Sequence, residues 1–108
     1  MPKGILLVQS NPVSAEREAE YNRWYDEEHI PDVRAVPGFV AARRYRVRDA
    51  GGIKAGPSTP SYVIIYEVEA DDFDVPMEEL GLRTQQGRIR LSDAIDLPSI
   101  VAFYELIE

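Results

Sequence analysis

The stretch "SYVIIYEVE", residues 61–69, decides the fold. It is rich in β-branched and aromatic residues, which predicts a β-strand. Side chains alternate between the two faces of a sheet, so Tyr62, Ile64 and Tyr66 lie on one face and Val63 and Ile65 on the other. Both sets are apolar. A sheet that contains this strand therefore needs cover on both faces.

The flanking sequence predicts the elements around this strand. Ser14 followed by acidic residues marks the start of one helix, and Asp74 with Pro76 marks the start of a second. The predicted elements are strands at 4–9, 39–48, 61–69 and 99–107, and helices at 15–29 and 74–85. Their order, β-α-β-β-α-β, predicts an α+β ferredoxin-like fold, with a four-stranded antiparallel sheet and both helices on one face.

Three segments are harder to assign. Pro31 cannot occupy a regular helix interior, so the first helix is expected to stop near His29 or to kink there, with an extra turn over residues 32–36. Residues 49–60 contain three Gly and two Pro and predict a long hairpin loop. Residues 86–98 are interpreted as loop with at most one helical turn.

The second apolar face of the sheet also needs a partner. Two short helices can cover only one face, and a large exposed apolar patch on a 108-residue monomer is a liability. We expect a homodimer in which two sheets pack face to face under two-fold symmetry. The alternative is that the loop at 49–60 folds over this face.

Composition limits the classes of function. The length fits a single domain over residues 1–108. The absence of cysteine excludes disulfides, thiolate catalysis and cysteine-based metal sites. A net charge of −7 disfavours nucleic acid and anionic membranes as partners. No apolar run is long enough for a membrane span or a secretory signal, so the cytoplasm is the expected location.

The segment "YNRWYDEEHIPD", residues 21–32, contains the only histidine of the chain. Helical spacing predicts that one stripe of side chains faces the sheet and that the second half of this stripe is polar. Tyr25 lies at the edge of the stripe, and Tyr21 and Trp24 lie on the opposite side of the helix. The predicted stripe consists of Ala15, Ala19, Asn22, Asp26 and His29. Polar groups that face a sheet must either satisfy one another or line a cavity.

A cavity would give these residues chemical roles. His29 is the candidate acid or base, because its ordinary pKa lies near neutrality. Asp26 or Asp32 would orient its ring, and Asn22 and Tyr25 would bind ligand oxygens. The competing interpretation is a structural histidine at a helix end, bonded to a carboxylate.

The basic run at 43–48 is also open to two interpretations. Its arginines can protect an edge strand from pairing. Alternatively, Arg43 or Arg44 neutralises an anionic substrate, and Tyr45 supplies a hydroxyl in the same cleft. The sequence does not fix which set of side chains faces the helices. A metal site is not predicted, because the lone histidine lacks a second one at zincin spacing.

The sequence resembles the dimeric α/β-barrel superfamily and, within it, the EthD-like bacterial proteins. The shared pattern is N-x-W-Y-x-x-x-H-[IVL]-P-D, followed after about four residues by P-G-F. The matching residues are Asn22, Trp24, Tyr25, His29, Ile30, Pro31, Asp32, Pro37, Gly38 and Phe39. The resemblance implies a ferredoxin-like protomer, a face-to-face homodimer and a pocket between sheet and helices.

Members of that superfamily include isomerases, polyketide cyclases, cofactor-free monooxygenases and haem-degrading enzymes, so the resemblance implies a cleft rather than one reaction. The first hypothesis is an enzyme without metal or organic cofactor. It would isomerise, cyclise or dehydrate an aromatic, polyketide-like or lactone-like molecule by proton transfer. The alternatives are a protein that binds such a molecule without turning it over, and a haem-binding protein with His29 as axial ligand.

Overall fold

The computed structural model contains one four-stranded sheet. Its strands are β1 (Lys3–Ser10), β2 (Phe39–Arg46), β3 (Tyr62–Glu69) and β4 (Ile100–Glu105). They lie in the order β2-β3-β1-β4, and every neighbouring pair is antiparallel. Both helical segments cover the same face. This arrangement confirms the predicted ferredoxin-like α+β fold.

The first helical segment extends past the predicted end at His29. It begins with a 3-10 turn (Ala15–Arg17) and continues through α1 (Glu18–Trp24), a π-helical turn (Tyr25–His29) and α2 (Ile30–Arg34) without a break. Pro31 lacks an N–H, and in a regular α-helix its ring would clash with the carbonyl four residues earlier. The wider π turn just before Pro31 relieves this conflict, so the helix continues.

The helical face that packs on the sheet differs from the predicted stripe. Tyr21, Trp24 and Tyr25 are buried, whereas Ala15 and Ala19 are exposed. Three aromatic side chains remove far more apolar area from water than two alanines, so they determine the rotation of the helix. The predicted placement of Tyr21 and Trp24 away from the sheet was therefore wrong.

The second helix, α3 (Asp74–Gln85), has the predicted bounds. None of the helices has both the length and the apolar character needed to cross a bilayer.

The two faces of the sheet are covered to different degrees. On β3, the helix-facing side chains of Tyr62, Ile64 and Tyr66 are buried, whereas Val63 and Ile65 on the other face are only partly buried. The loop at 49–60 does not cover that second face. Residues 49–59 are exposed throughout, including Ile53 at 79%. We call this second face the open face.

Residues 86–99 contain no helical turn and pack as an irregular strap beside the first helix. The strap buries Ile89 and Ala94. Backbone hydrogen bonds tie it to the loop after β1: Val13 N–H donates to the Ala94 carbonyl at 2.7 Å, and Asp96 N–H donates to the Asn11 carbonyl at 2.9 Å. The strap therefore forms a fixed wall of the helical layer.

Gly38, which precedes β2, is expected to tolerate no side chain. Its φ of +102° is a conformation that residues with a Cβ rarely adopt, and an added Cβ would lie 3.1 Å from Pro76 Cβ. We expect Gly38→Ala to reduce the free energy of unfolding by about 1–3 kcal/mol in urea denaturation. Gly81→Ala is the matched control. It lies in open space within α3 and should leave stability unchanged or raise it. Equal effects of the two changes would contradict this assignment.

Candidate functional site

A cavity of about 280 Å³ lies between the sheet, the first helical segment, α3 and the strap. Twelve of its sixteen lining residues are hydrophobic, and none carries an Asp, Glu, Lys or Arg side chain. Its rim includes Leu91, Leu97 and Val101, each more than half exposed. This composition suits an uncharged, mostly apolar small molecule, because a buried charge would find no partner there.

His29 lies in the wall of this cavity, and backbone contacts fix its ring. Its Nδ1 is 3.0 Å from the Arg90 carbonyl, which also accepts a hydrogen bond from Trp24 Nε1 at 3.1 Å. The indole and imidazole rings pack with centroids 4.6 Å apart. A carbonyl can only accept, so Nδ1 must carry the hydrogen. In the neutral ring Nε2 is then a free acceptor, and it has no hydrogen-bond partner in the chain.

Partial burial favours the neutral form of His29. Desolvation lowers the pKa of His29 below its ordinary value of 6.5, and this effect outweighs the Arg90 carbonyl and the Asp32 carboxylate, which both raise it. At neutral pH the ring is therefore uncharged and able to take up a proton at Nε2.

Asp32 contacts the strap rather than the imidazole. Its carboxylate accepts hydrogen bonds from the Arg90 backbone N–H at 2.8 Å and from Arg90 Nε and Nη2 at 2.9 and 3.0 Å. These bonds to the Arg90 side chain are the main reason that the pKa of Asp32 lies below its ordinary value. Asp32 thus holds Arg90, and the carbonyl of Arg90 holds His29.

Asn22 and Asp26 lie outside the cavity and bind Arg44. Arg44 Nη2 donates to Asn22 Oδ1 at 2.7 Å, and Arg44 Nη1 donates to Asp26 Oδ1 at 3.1 Å. The guanidinium carbon lies 5.0–5.7 Å from three tyrosine ring centroids, those of Tyr21, Tyr25 and Tyr62. The polar residues predicted to surround His29 therefore form a separate cluster on the same helix.

Tyr25 is the predicted ligand-binding residue that does line the cavity. Its ring packs edge-on to His29, with centroids 5.5 Å apart. Its hydroxyl lies 3.4 Å from Ser10 Oγ, and burial raises the pKa of Tyr25. Tyr25 contributes mainly an apolar wall beside the imidazole.

Arg43 and Tyr45 do not join this cleft. Strand register places Arg44 opposite the buried Ile64, on the helix-facing side of the sheet, whereas Arg43 and Tyr45 pair with Ile65 and Val63 on the open face. Arg43 forms an ion pair with Glu67, and Tyr45 is 50% exposed. The alternation of β2 thus corrects the prediction that these two residues share a cleft with His29.

Sequence reasoning missed three features of the cavity: the indole of Trp24, the ring of Tyr66 and the strap. The apolar residues of the strap, Ile89, Leu91, Ile95 and Leu97, were the available signal. The Arg90 carbonyl gave no signal in the sequence, because every residue has a backbone carbonyl.

The pH dependence of stability should reflect His29. A histidine whose pKa is lowered by folding binds protons more readily when unfolded, so its contribution is present above pH 6.5 and is lost as the pH falls below that value. Asp32 adds a similar loss below its ordinary pKa of 3.8. We expect the free energy of unfolding, measured in urea at pH 7.5, 6.0 and 5.0, to fall with pH in the wild type and to fall less in His29→Gln. Parallel curves would contradict a partly buried His29 ring whose pKa is lowered by folding.

A family model described as a domain of unknown function, DUF4286, matches residues 5–87. The chain belongs to the DUF4286 family. The match covers the sequence from β1 through α3, including His29 and Asp32, and ends before Arg90. No curated protein matches the chain.

Solved structures of similar shape share little sequence with this DUF4286 protein. An EthD family protein from Bacillus halodurans C-125 has a TM-score of 0.61 at 13% identity, with 99% of this chain and 100% of that chain covered. A dimeric ferredoxin-like protein from an uncultured marine organism has a TM-score of 0.63 at 8% identity, with 100% and 98% covered. An EthD-like protein from Ralstonia eutropha JMP134 has a TM-score of 0.56 at 15% identity, with 100% and 96% covered. These matches confirm the fold, which this chain shares with EthD-family structures.

Proposed function

We propose that this protein binds a small, uncharged, mostly apolar molecule in the cavity and moves a proton on it, with Nε2 of His29 as the base. The observation that supports this proposal is the imidazole of His29 in the cavity wall, with its Nδ1 held by the Arg90 carbonyl and its Nε2 without a partner in the chain. When one ring nitrogen of a histidine donates a hydrogen bond to a fixed acceptor, the other nitrogen is left unprotonated and oriented to act as a base. No metal or organic cofactor is part of the proposal.

Proton transfer suits this site better than hydrolysis. The chain has no cysteine, and His29 makes no hydrogen bond with a serine or threonine hydroxyl that it could activate as a nucleophile. A neutral base in an apolar pocket can remove a proton from carbon next to a carbonyl group. The C–H bond breaks, its electron pair forms the enolate, and the proton moves to Nε2. Polyketide-like and lactone-like molecules contain such protons, and so do aromatic molecules that carry an enolisable ketone.

The test uses 2-tetralone, an uncharged bicyclic ketone with acidic protons next to its carbonyl. The compound is incubated with the protein in D₂O near pH 7, and loss of the α-proton signals is followed by NMR. We expect saturable exchange above the rate in buffer alone. Saturable binding without exchange would support the non-catalytic binding protein instead, and a Soret band on addition of haemin that His29→Ala removes would support the haem-binding alternative. Absence of binding by 2-tetralone and by matched aryl lactones would contradict the proposal.

We also propose that the protein is a homodimer through its open face. This face presents Ile5, Leu7, Val63 and Ile65 at the centre of the sheet, and neither helices nor loop cover it. The Arg43–Glu67 ion pair lies on the same face and gives it complementary charges that a two-fold copy can match. Two of the structural relatives are described as dimeric ferredoxin-like proteins.

A further inference from the structure

Two buried polar side-chain atoms lack a hydrogen-bond partner in the chain, the Tyr66 hydroxyl and Arg44 Nε. Tyr66 is only 2% exposed, and its side chain forms part of the cavity wall. A buried hydroxyl without a partner is costly, and native structures rarely retain one without a reason. The two unpartnered atoms therefore need an explanation.

Strand pairing places these two residues together. Arg44 lies opposite Ile64, and Tyr66 lies opposite Ala42, so Arg44 and Tyr66 are diagonal neighbours on the helix-facing side of the sheet. Arg44 is held in place by Asn22 and Asp26. Its guanidinium is thus fixed on the same side of the sheet as Tyr66, and its charge acts on the Tyr66 hydroxyl. Burial raises the pKa of Tyr66, so its hydroxyl keeps its proton and remains a donor.

We propose that Tyr66 donates a hydrogen bond to an oxygen of the bound molecule, which makes the ligand an enolisable ketone or lactone rather than a hydrocarbon. This inference rests on the proposed function and names the ligand class for the same cavity. When His29 removes the neighbouring proton, negative charge develops on the carbonyl oxygen. Tyr66 hydrogen-bonds that oxygen, and the positive charge of Arg44 favours the charge on it.

The test compares two bicyclic ligands that differ by one oxygen, 2-tetralone and tetralin. We expect the wild type to bind 2-tetralone roughly tenfold more tightly than tetralin, a ratio typical of one buried hydrogen bond. Tyr66→Phe should reduce this ratio to about one by weakening only the binding of the ketone. Tyr62→Phe is the matched control. Tyr62 lies on the same strand and face but outside the cavity, and its hydroxyl already donates to Glu18 Oε2.

The thermal stability of the ligand-free variants provides an independent readout. Tyr66→Phe removes a hydroxyl that has no partner, so its melting temperature should be unchanged or higher. Retention of the ketone preference in Tyr66→Phe, equal loss in Tyr62→Phe, or a melting temperature several degrees lower in Tyr66→Phe would each overturn the inference. If neither ligand binds the wild type, the proposed cavity function fails instead.

Discussion

Replacing His29 by glutamine is expected to lower the rate of deuterium exchange into 2-tetralone by roughly 10²–10⁴-fold, the usual contribution of a positioned general base. Glutamine has a similar length and can still donate a hydrogen bond to the Arg90 carbonyl, so the strap should stay in place. It cannot accept the proton. Binding of 2-tetralone should therefore change by no more than a few-fold while exchange is lost.

Glu27→Gln is the control for this change. Glu27 lies in the same π-helical turn but is exposed, and it pairs only with Arg23 on the helix surface. The Glu27→Gln variant should exchange deuterium into 2-tetralone at the wild-type rate. If His29→Gln binds and exchanges 2-tetralone as the wild type does, His29 is not the base. If His29→Gln unfolds, the histidine has the structural role that its position at the Arg90 carbonyl also permits.

Replacing Ile65 by lysine is expected to convert the proposed open-face dimer to a monomer. Ile65 lies on a central strand of the open face, opposite Leu7 on β1. A lysine there would place a charge without a partner at the middle of the sheet-to-sheet contact, which costs about 3 kcal/mol or more. Because both protomers carry the change, the dissociation constant should rise at least about 100-fold. Sedimentation equilibrium over a range of concentrations measures it.

Leu82→Lys adds the same charge at an exposed apolar position of α3, on the helical side of the molecule. This control should remain a dimer. A wild type that is monomeric at high micromolar concentration would rule out the open-face dimer, and dissociation of both variants to the same extent would show that net charge rather than the open face controls assembly.

The fold could be predicted from the sequence because it depends on local patterns. Apolar side chains on both faces of β3 indicated that both faces of the sheet need cover. Serine, proline and acidic residues at the expected positions predicted where both helices begin. The rotation of the first helix could not be fixed in the same way. Spacing alone allowed a stripe through Ala15 and Asn22, but the area of the aromatic rings and the π turn before Pro31 decided the packing.

The site was only partly predictable for a different reason. His29 and Tyr25 were found because their residue types suggest chemistry, and both line the cavity. The group that holds His29 is a backbone carbonyl 61 residues away in the chain, and it comes into contact only when the strap folds against the helix. The ion pair between Asp32 and Arg90 that fixes this carbonyl is equally long-range. The residue pattern of the segment 21–32 carries no information about contacts with a residue so distant in the chain.

The most direct test of the central claim is a ¹⁵N NMR measurement on His29, which is the only histidine and so gives an unambiguous ring signal. We predict a neutral ring at pH 7 with its hydrogen on Nδ1, a pKa below 6.5, and a shift of the Nε2 signal when 2-tetralone saturates the protein. A ring that carries its hydrogen on Nε2, or that titrates at or above 6.5 and does not respond to the ligand, would contradict the account.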